Sequence, residues 1–211
     1  MSIKKINGYQ IPKINEVYPN QVDWELNKEE SVLLIHDMQQ YFVEAYNKTQ
    51  EPCATLIKNL MRIREICKSA GVPVIYSAQP QAQTIEQRGL LMDFWGKGIP
   101  ADGKQQEIIK ELQPREGDIV ITKWRYSAFE STNLEKVIKE LGKRQLIVTG
   151  IYTHIGCLTT SVAASMKNIK PFLIADATAD FSKEKHLLAL NYIAQLAGRI
   201  MNTEELINEL K

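Results

Sequence analysis

SVLLIH, running from Ser31 to His36 and closed at once by Asp37, is the stretch that decides the fold. Its interior is unbroken apolar sequence without polar alternation, as a strand buried on both faces of a sheet requires. Further runs of the same kind follow at helix-sized intervals: VPVIYSA from Val72, DIVITK from Asp118, QLIVTGIY from Gln145 and PFLIADA from Pro171. A weaker sixth, RIMNT, begins at Arg199. Short β-rich runs alternating with helical segments build parallel sheets covered by helices. The expected fold is therefore α/β: a doubly wound, mostly parallel six-stranded sheet in a three-layer, Rossmann-like arrangement with helices on both faces.

The segments between the runs carry helical spacing. Leu56, Leu60, Ile63 and Cys67 recur every three or four residues, and Gly71 follows as a stop. Thr132 and Glu135 have the spacing of a capping box, ahead of a face made by Leu134, Val137, Ile138 and Leu141 and a stop at Gly142. Ser182 is expected to cap a helix through Leu187, Leu190 and Ile193, and Asn202 with Glu205 to open a terminal one. Residues 1–30, with Pro12, Pro19 and Trp24, form an extended leader packed on a single domain of residues 31–211. The stretch from Gln79 to Gln105, broken by Pro80, Gly89, Gly96, Gly98 and Pro100, is a long irregular connection and a candidate lid or pocket wall.

Composition narrows the function classes. The chain has 211 residues, 44% hydrophobic and 24% charged, the balance of a packed globular protein. Its 26 Lys and Arg against 25 Asp and Glu leave a net charge of +1, with no basic block to track a phosphate backbone, so nucleic acid is not an expected partner. The three cysteines form no C-x-x-C pair, which argues against a disulfide framework or zinc ribbon and for a reducing compartment. No apolar run approaches the roughly 20 residues of a membrane span, and the N-terminus lacks an apolar signal region, so a cytoplasmic protein is expected.

In open α/β sheets, ligands bind beyond the carboxyl ends of the strands. Asp37, Gln79 and Lys123 close three separate runs there, delivering an acid, an amide and a cation to one edge. Singly, each is more ordinary as a turn former or a solvated charge; together, and with the segment Tyr152–Cys157 closing the fourth run, they favour a site. Gly156 would open a helix after a strand, where outward N–H groups accommodate an anion. Cys157 sits one residue beyond the site-facing position, and a turn of about 100° per residue aims it elsewhere, as a small buried side chain. His36, His154 and His186 have no metal-ligand spacing and read as packing or hydrogen-bonding residues, so no metal is expected. Phosphate-cradling glycine motifs are absent. Trp24, Trp95 and Trp124 read as core or interface anchors.

The strings LLIHDMQQYFV, YSAQPQAQTIEQRGLLMDFWGKG, TKWRYSAFESTNL, IVTGIYTHIGCLTT and KPFLIADATADFSKEKHLLAL resemble the isochorismatases of the cysteine-hydrolase superfamily, especially the branch that makes 2,3-dihydroxybenzoate for catechol siderophores. The likeness runs in order from about Ser31 to the C-terminus. It implies a cofactor-free hydrolase cleaving the vinyl ether of isochorismate to 2,3-dihydro-2,3-dihydroxybenzoate and pyruvate. By matched position, Asp37 becomes the general acid and Lys123 its partner, with Gln79, Arg88, Tyr126 and Tyr152 at substrate-contacting positions. Gly156 falls where the superfamily's amidases carry their nucleophilic cysteine, so covalent thiol catalysis is not implied. Arg88 offers a bidentate donor to a substrate carboxylate, the alternative being a surface pair with Glu86. Phe42, Phe94, Trp95 and Tyr126 are candidate pocket walls, with core packing as the alternative. Burial would raise the pKa of Asp37 and Lys123 would lower it, and the net sign stays open. The resemblance also suggests a dimer or higher assembly and an aryl-carrier protein acting in trans. Two other readings stay open: a phenazine-type hydrolase of 2-amino-2-deoxyisochorismate, and a non-catalytic module that docks a carrier protein.

Overall fold

In a computed structural model the described residues are 3–101 and 103–211; residues 1 and 2 of the expected leader and 102 of the long connection lie outside them. The strands are β1 (Ser31–His36), β2 (Val74–Ala78), β3 (Ile119–Thr122), β4 (Gln145–Ile151), β5 (Lys170–Ala179) and β6 (Arg199–Met201), in the order β3-β2-β1-β4-β5-β6. Every neighbouring pair is parallel, so the sheet is wholly rather than mostly parallel. The connections carry α1 (Gln40–Val43), α2 (Cys53–Ser69), α3 (Ile85–Arg88), α4 (Leu91–Trp95), α5 (Leu134–Glu140), α6 (Leu158–Met166) and α7 (Lys183–Leu196), and α8 (Thr203–Leu210) ends the chain.

Alternate residues of β1 feed two cores. Leu33 and Ile35 pack with Leu56, Leu60 and Ile63 of α2 and Leu206 and Leu210 of α8. Val32 and Leu34 pack on the other face with Leu134 and Ile138 of α5, Ala164 of α6, and Leu190 and Ile193 of α7. A fully buried leucine or isoleucine contributes roughly 1.5–3 kcal/mol, and helices cover both faces, which is why the strand sequences show no polar alternation. The run at Asp118 departs from that expectation: β3 lies on the sheet edge, and Val120 is 52% exposed. The run at Pro171 is longer than expected, because β5 continues to Ala179 past a register shift opposite Val148 and Gly150.

Local signals mostly act as their chemistry requires. Ser182 accepts from the Lys185 N–H, Asn202 and Glu205 form a reciprocal capping box, and Gly71 follows α2 at a φ of +73°. Thr132 and Glu135 do not form one. Thr132 instead donates to the Ala128 carbonyl and accepts from the Leu134 N–H, while Glu135 pairs with Lys139 and Lys167. These nearby partners outcompete the box. The N-terminal segment is extended apart from two 3-10 turns, and is tied down by Ile6 N–H to the Ala45 carbonyl (2.8 Å) and Gln21 N–H to the Ala194 carbonyl (2.9 Å). Among the described residues, no helix is long and apolar enough to cross a membrane.

β1 leads to β2 on one side while its neighbour β4 leads to β5 on the other, so strand order reverses between them and a crevice opens beyond His36 and Ile151.

Candidate active site

Asp37 leaves β1 at a φ of +50°, in the left-handed region that aspartate tolerates better than most residues. Its Oδ1 accepts from Ser77 Oγ at 2.7 Å, and its Oδ2 from Lys123 Nζ at 2.8 Å and Gln79 Nε2 at 3.1 Å. Ser77 lies in β2, opposite His36 of β1, and Gln79 and Lys123 lie just past the ends of β2 and β3. Both ions are buried, Asp37 at 4% exposure and Lys123 at 2%. Burial pushes the Asp37 carboxyl upward, but the charge of Lys123 and the hydrogen bonds from Lys123 and Ser77 hold it below its ordinary range. In this arrangement the carboxylate is ionised.

Gln79 is the hinge between this pair and Arg88, since its Oε1 accepts from Arg88 Nη1 at 3.2 Å. Arg88 is buried and also donates from Nε to the Gly96 carbonyl at 2.9 Å, so it turns inward instead of pairing with Glu86 on the surface. Gly98 makes room for it: a Cβ there would lie 2.9 Å from the guanidinium carbon. The backbone of Gln79 is fixed by Gln39, whose amide donates to the Gln79 and Gln106 carbonyls (both 2.8 Å) and accepts from the Gln79 N–H (2.7 Å). The expected irregular connection thus contains α3 and α4 and forms one wall.

All eight candidate residues, Asp37, Phe42, Gln79, Arg88, Lys123, Tyr126, Tyr152 and Gly156, border one cavity. Tyr152 donates to the Phe42 carbonyl (2.8 Å), and Trp95 donates to the Tyr126 hydroxyl (2.8 Å), which sets the aromatic walls. Phe94 is not among them. It is 70% exposed, because α4 turns Trp95 and Leu91 inward and Phe94 out.

Gly156 lies in a single π-helical turn, Thr153–Cys157, that precedes α6. A Cβ on it would come within 2.1 Å of Cε1 of His36, whose buried ring packs directly on its Cα. His36 Nδ1 donates to the Ile151 carbonyl at 2.9 Å, which leaves the lone pair on Nε2, a buried atom without a partner. Cys157 faces the opposite core, toward the Thr149 carbonyl, and burial pushes its thiol well above the ordinary range. Among the described residues, no three His, Cys, Asp or Glu side chains stand together as a metal site.

Beside the cavity, His154 Nδ1 meets Asp180 Oδ1 at 2.6 Å, and His186 is buried between Tyr9 (3.2 Å) and Thr178 (3.0 Å). Burial lowers both His36 and His186 to about 4. The unfolded chain therefore binds these protons first as the pH falls below about 6.5, so stability is full above that value and is lost down to about pH 4, by up to about 3 kcal/mol per histidine. Urea midpoints across that window should fall with pH, and His186→Gln should flatten the decline by about half. A decline unchanged by the substitution would refute the assignment.

Residues 31–205 match the family model described as isochorismatase domain. The chain belongs to the isochorismatase family. It is 45% identical over 207 residues to enterobactin synthase component B of Escherichia coli (strain K12), covering 98% of this chain and 73% of that one. It is 44% identical to an isochorismatase of Bacillus subtilis (strain 168), covering 100% and 68%, and 42% identical to phenazine biosynthesis protein PhzD of Pseudomonas fluorescens, covering 97% and 98%. A cysteine hydrolase from Pseudomonas syringae pv. phaseolicola 1448A shares the fold, with a TM-score of 0.81 at 22% identity over 92% of this chain and 97% of that one. For this isochorismatase-family site, the residues that sequence reading passed over include Ser77 and Gln39, which brace it, and Tyr41 and Arg125, which line the cavity. The β1–β2 register pairing His36 with Ser77 is the signal for the first.

Proposed function

We propose that this protein hydrolyses the vinyl ether of isochorismate, releasing 2,3-dihydro-2,3-dihydroxybenzoate and pyruvate in catechol siderophore biosynthesis. The observation that carries the reading is the buried carboxyl of Asp37, held by Lys123 and Gln79 in an aromatic-walled cavity that offers glycine, not a nucleophile, at position 156. The names of the Escherichia coli and Bacillus relatives support the substrate and the pathway.

Asp37 acts as the general acid. It protonates the methylene carbon of the enolpyruvyl group, an oxocarbenium ion forms, water adds to it, and the hemiketal collapses to pyruvate and the ring alcohol. Such a transfer contributes roughly 10²–10⁴ in rate. The carboxyl must first acquire a proton. A substrate carboxylate drawn to Lys123 competes for the cation that holds Asp37 low, and burial, the largest opposing influence, then favours the acid form. Arg88 receives the other carboxylate, and Tyr126, Tyr152, Phe42 and Gly156 shape the space around the ring.

Arg88→Lys is expected to raise KM by about 10–100-fold with a smaller change in kcat, because lysine lacks the planar fork that meets both a carboxylate and Gln79. Steady-state kinetics check this, and an unchanged KM would remove Arg88 from substrate binding.

The assembly we propose is a homodimer. Leu188, Tyr192 and Leu196, spaced four residues apart on α7, are exposed at 58%, 45% and 72% and support a self-contact. A cytoplasmic setting is supported by three free, buried cysteines. The deciding experiment couples pyruvate release to lactate dehydrogenase, with isochorismate and 2-amino-2-deoxyisochorismate in parallel. A kcat/KM at least about tenfold higher on isochorismate is expected; the reverse order would favour the phenazine-type reaction.

A further inference from the structure

A second depression, of about 370 Å³, adjoins the catalytic cavity, and Ile3 and Trp95 line both. It is lined by Lys4, Lys5 and Lys185 together with Phe94, Phe181 and Ile6, and among the described residues no acidic one borders it. Among the described residues, neither Lys4 nor Lys5 has an ion pair or side-chain hydrogen bond, and the ammonium of Lys185 lies 5.0 Å from the centre of the Phe181 ring. Three cations on a concave apolar surface, in a protein whose net charge is only +1, concentrate positive potential at one place. Low-dielectric walls focus such a field.

We propose that this groove is an entry site that captures a cyclic dicarboxylate before it passes Trp95 to reach Arg88 and Asp37. This rests on the function proposed above and adds a binding site to it. Charge complementarity selects the ligand class: the lysines take carboxylates, while Phe94, Phe181 and Trp95 take the apolar faces of the ring. It also accounts for the outward turn of Phe94, which lines the outer site. The inner cavity holds its three cations, Lys123, Arg88 and Arg125, in hydrogen bonds to the protein, whereas the outer lysines are free to follow an arriving anion.

The test compares kcat/KM for isochorismate at ionic strengths from about 10 mM to about 0.3 M, where the screening length falls from about 30 Å to below 8 Å. Wild type is set beside K4Q/K5Q/K185Q and beside K28Q/K58Q/K136Q, which removes the same charge elsewhere. Wild type and the distant variant should lose about tenfold or more in kcat/KM as salt rises. The groove variant should start about tenfold lower at low salt, keep its kcat, and show little salt dependence. Equal salt slopes in the two variants would overturn the proposal. If wild type does not turn over isochorismate, the functional reading fails by itself, and calorimetry with phthalate, a planar dicarboxylate, judges the groove. Weaker phthalate binding by the groove variant alone would support the entry site, and equal binding by all three proteins would overturn it.

Discussion

Asparagine in place of Asp37 is expected to lower kcat roughly 10²–10⁴-fold, the value of a positioned proton donor, without loss of the fold. Asparagine is the informative replacement because it matches the side chain in size and tolerates the φ of +50° at this position. Its single carbonyl oxygen can still accept from Lys123 while its NH2 group takes the place of the oxygen that faces Ser77 and must donate there instead, and it carries no acidic proton. Stability falls as well. Lys123 is left as an ammonium at 2% exposure without a counter-charge, and breaking a buried pair from one side costs about 3–5 kcal/mol. Asp37→Asn with Lys123→Met should recover most of that stability and none of the activity. The pair of variants thereby separates the chemical role from the structural one. An Asp37→Asn protein with near wild-type kcat would exclude Asp37 as the acid.

The second large effect is expected at Gly156. Alanine there places a methyl 2.1 Å from Cε1 of His36, closer than any atoms pack, and the ring has no free direction because it is wholly buried and held at Nδ1 by the Ile151 carbonyl. Forcing extra volume into such a site costs about 1–3 kcal/mol. Function loses more: His36 and Asp37 are consecutive at the end of β1, and a displacement of about 1 Å at a catalytic group costs on the order of 10²-fold. Thermal unfolding and kcat should both register the change, and His36→Ala in the Gly156→Ala background should restore part of the stability. A Gly156→Ala protein as stable and active as wild type would show that the ring is not held as described.

Most of the site is legible in the sequence because strand ends converge by topology. Asp37, Gln79 and Lys123 close three apolar runs, and a parallel sheet has all its carboxyl ends on one edge. What stays hidden depends on direction and on competition between partners. Phe94 and Trp95 are adjacent and equally aromatic, and only the orientation of the short helix α4 sends one inward. Thr132 and Glu135 have capping-box spacing, yet Ala128, Lys139 and Lys167 are better placed partners. Edge position is equally silent, since the run at Ile119 has the same character as the central ones although Val120 faces solvent. Gln39 and Ser77 are polar residues without a motif, and only the strand register shows that they brace Gln79 and Asp37. The net direction of the Asp37 pKa needed the 2.8 Å contact with Lys123.

In general-acid hydrolysis by Asp37, a proton from the enzyme, in exchange with solvent, reaches the methylene carbon of the enolpyruvyl group. The most direct measurement runs the reaction in heavy water with lactate dehydrogenase and NADH present, so that pyruvate is trapped before its methyl group exchanges, and reads the lactate by mass spectrometry. A single deuterium in the methyl group is the predicted result. A methyl group without deuterium would mean that hydrogen moves within the substrate itself, and would contradict general-acid hydrolysis by Asp37.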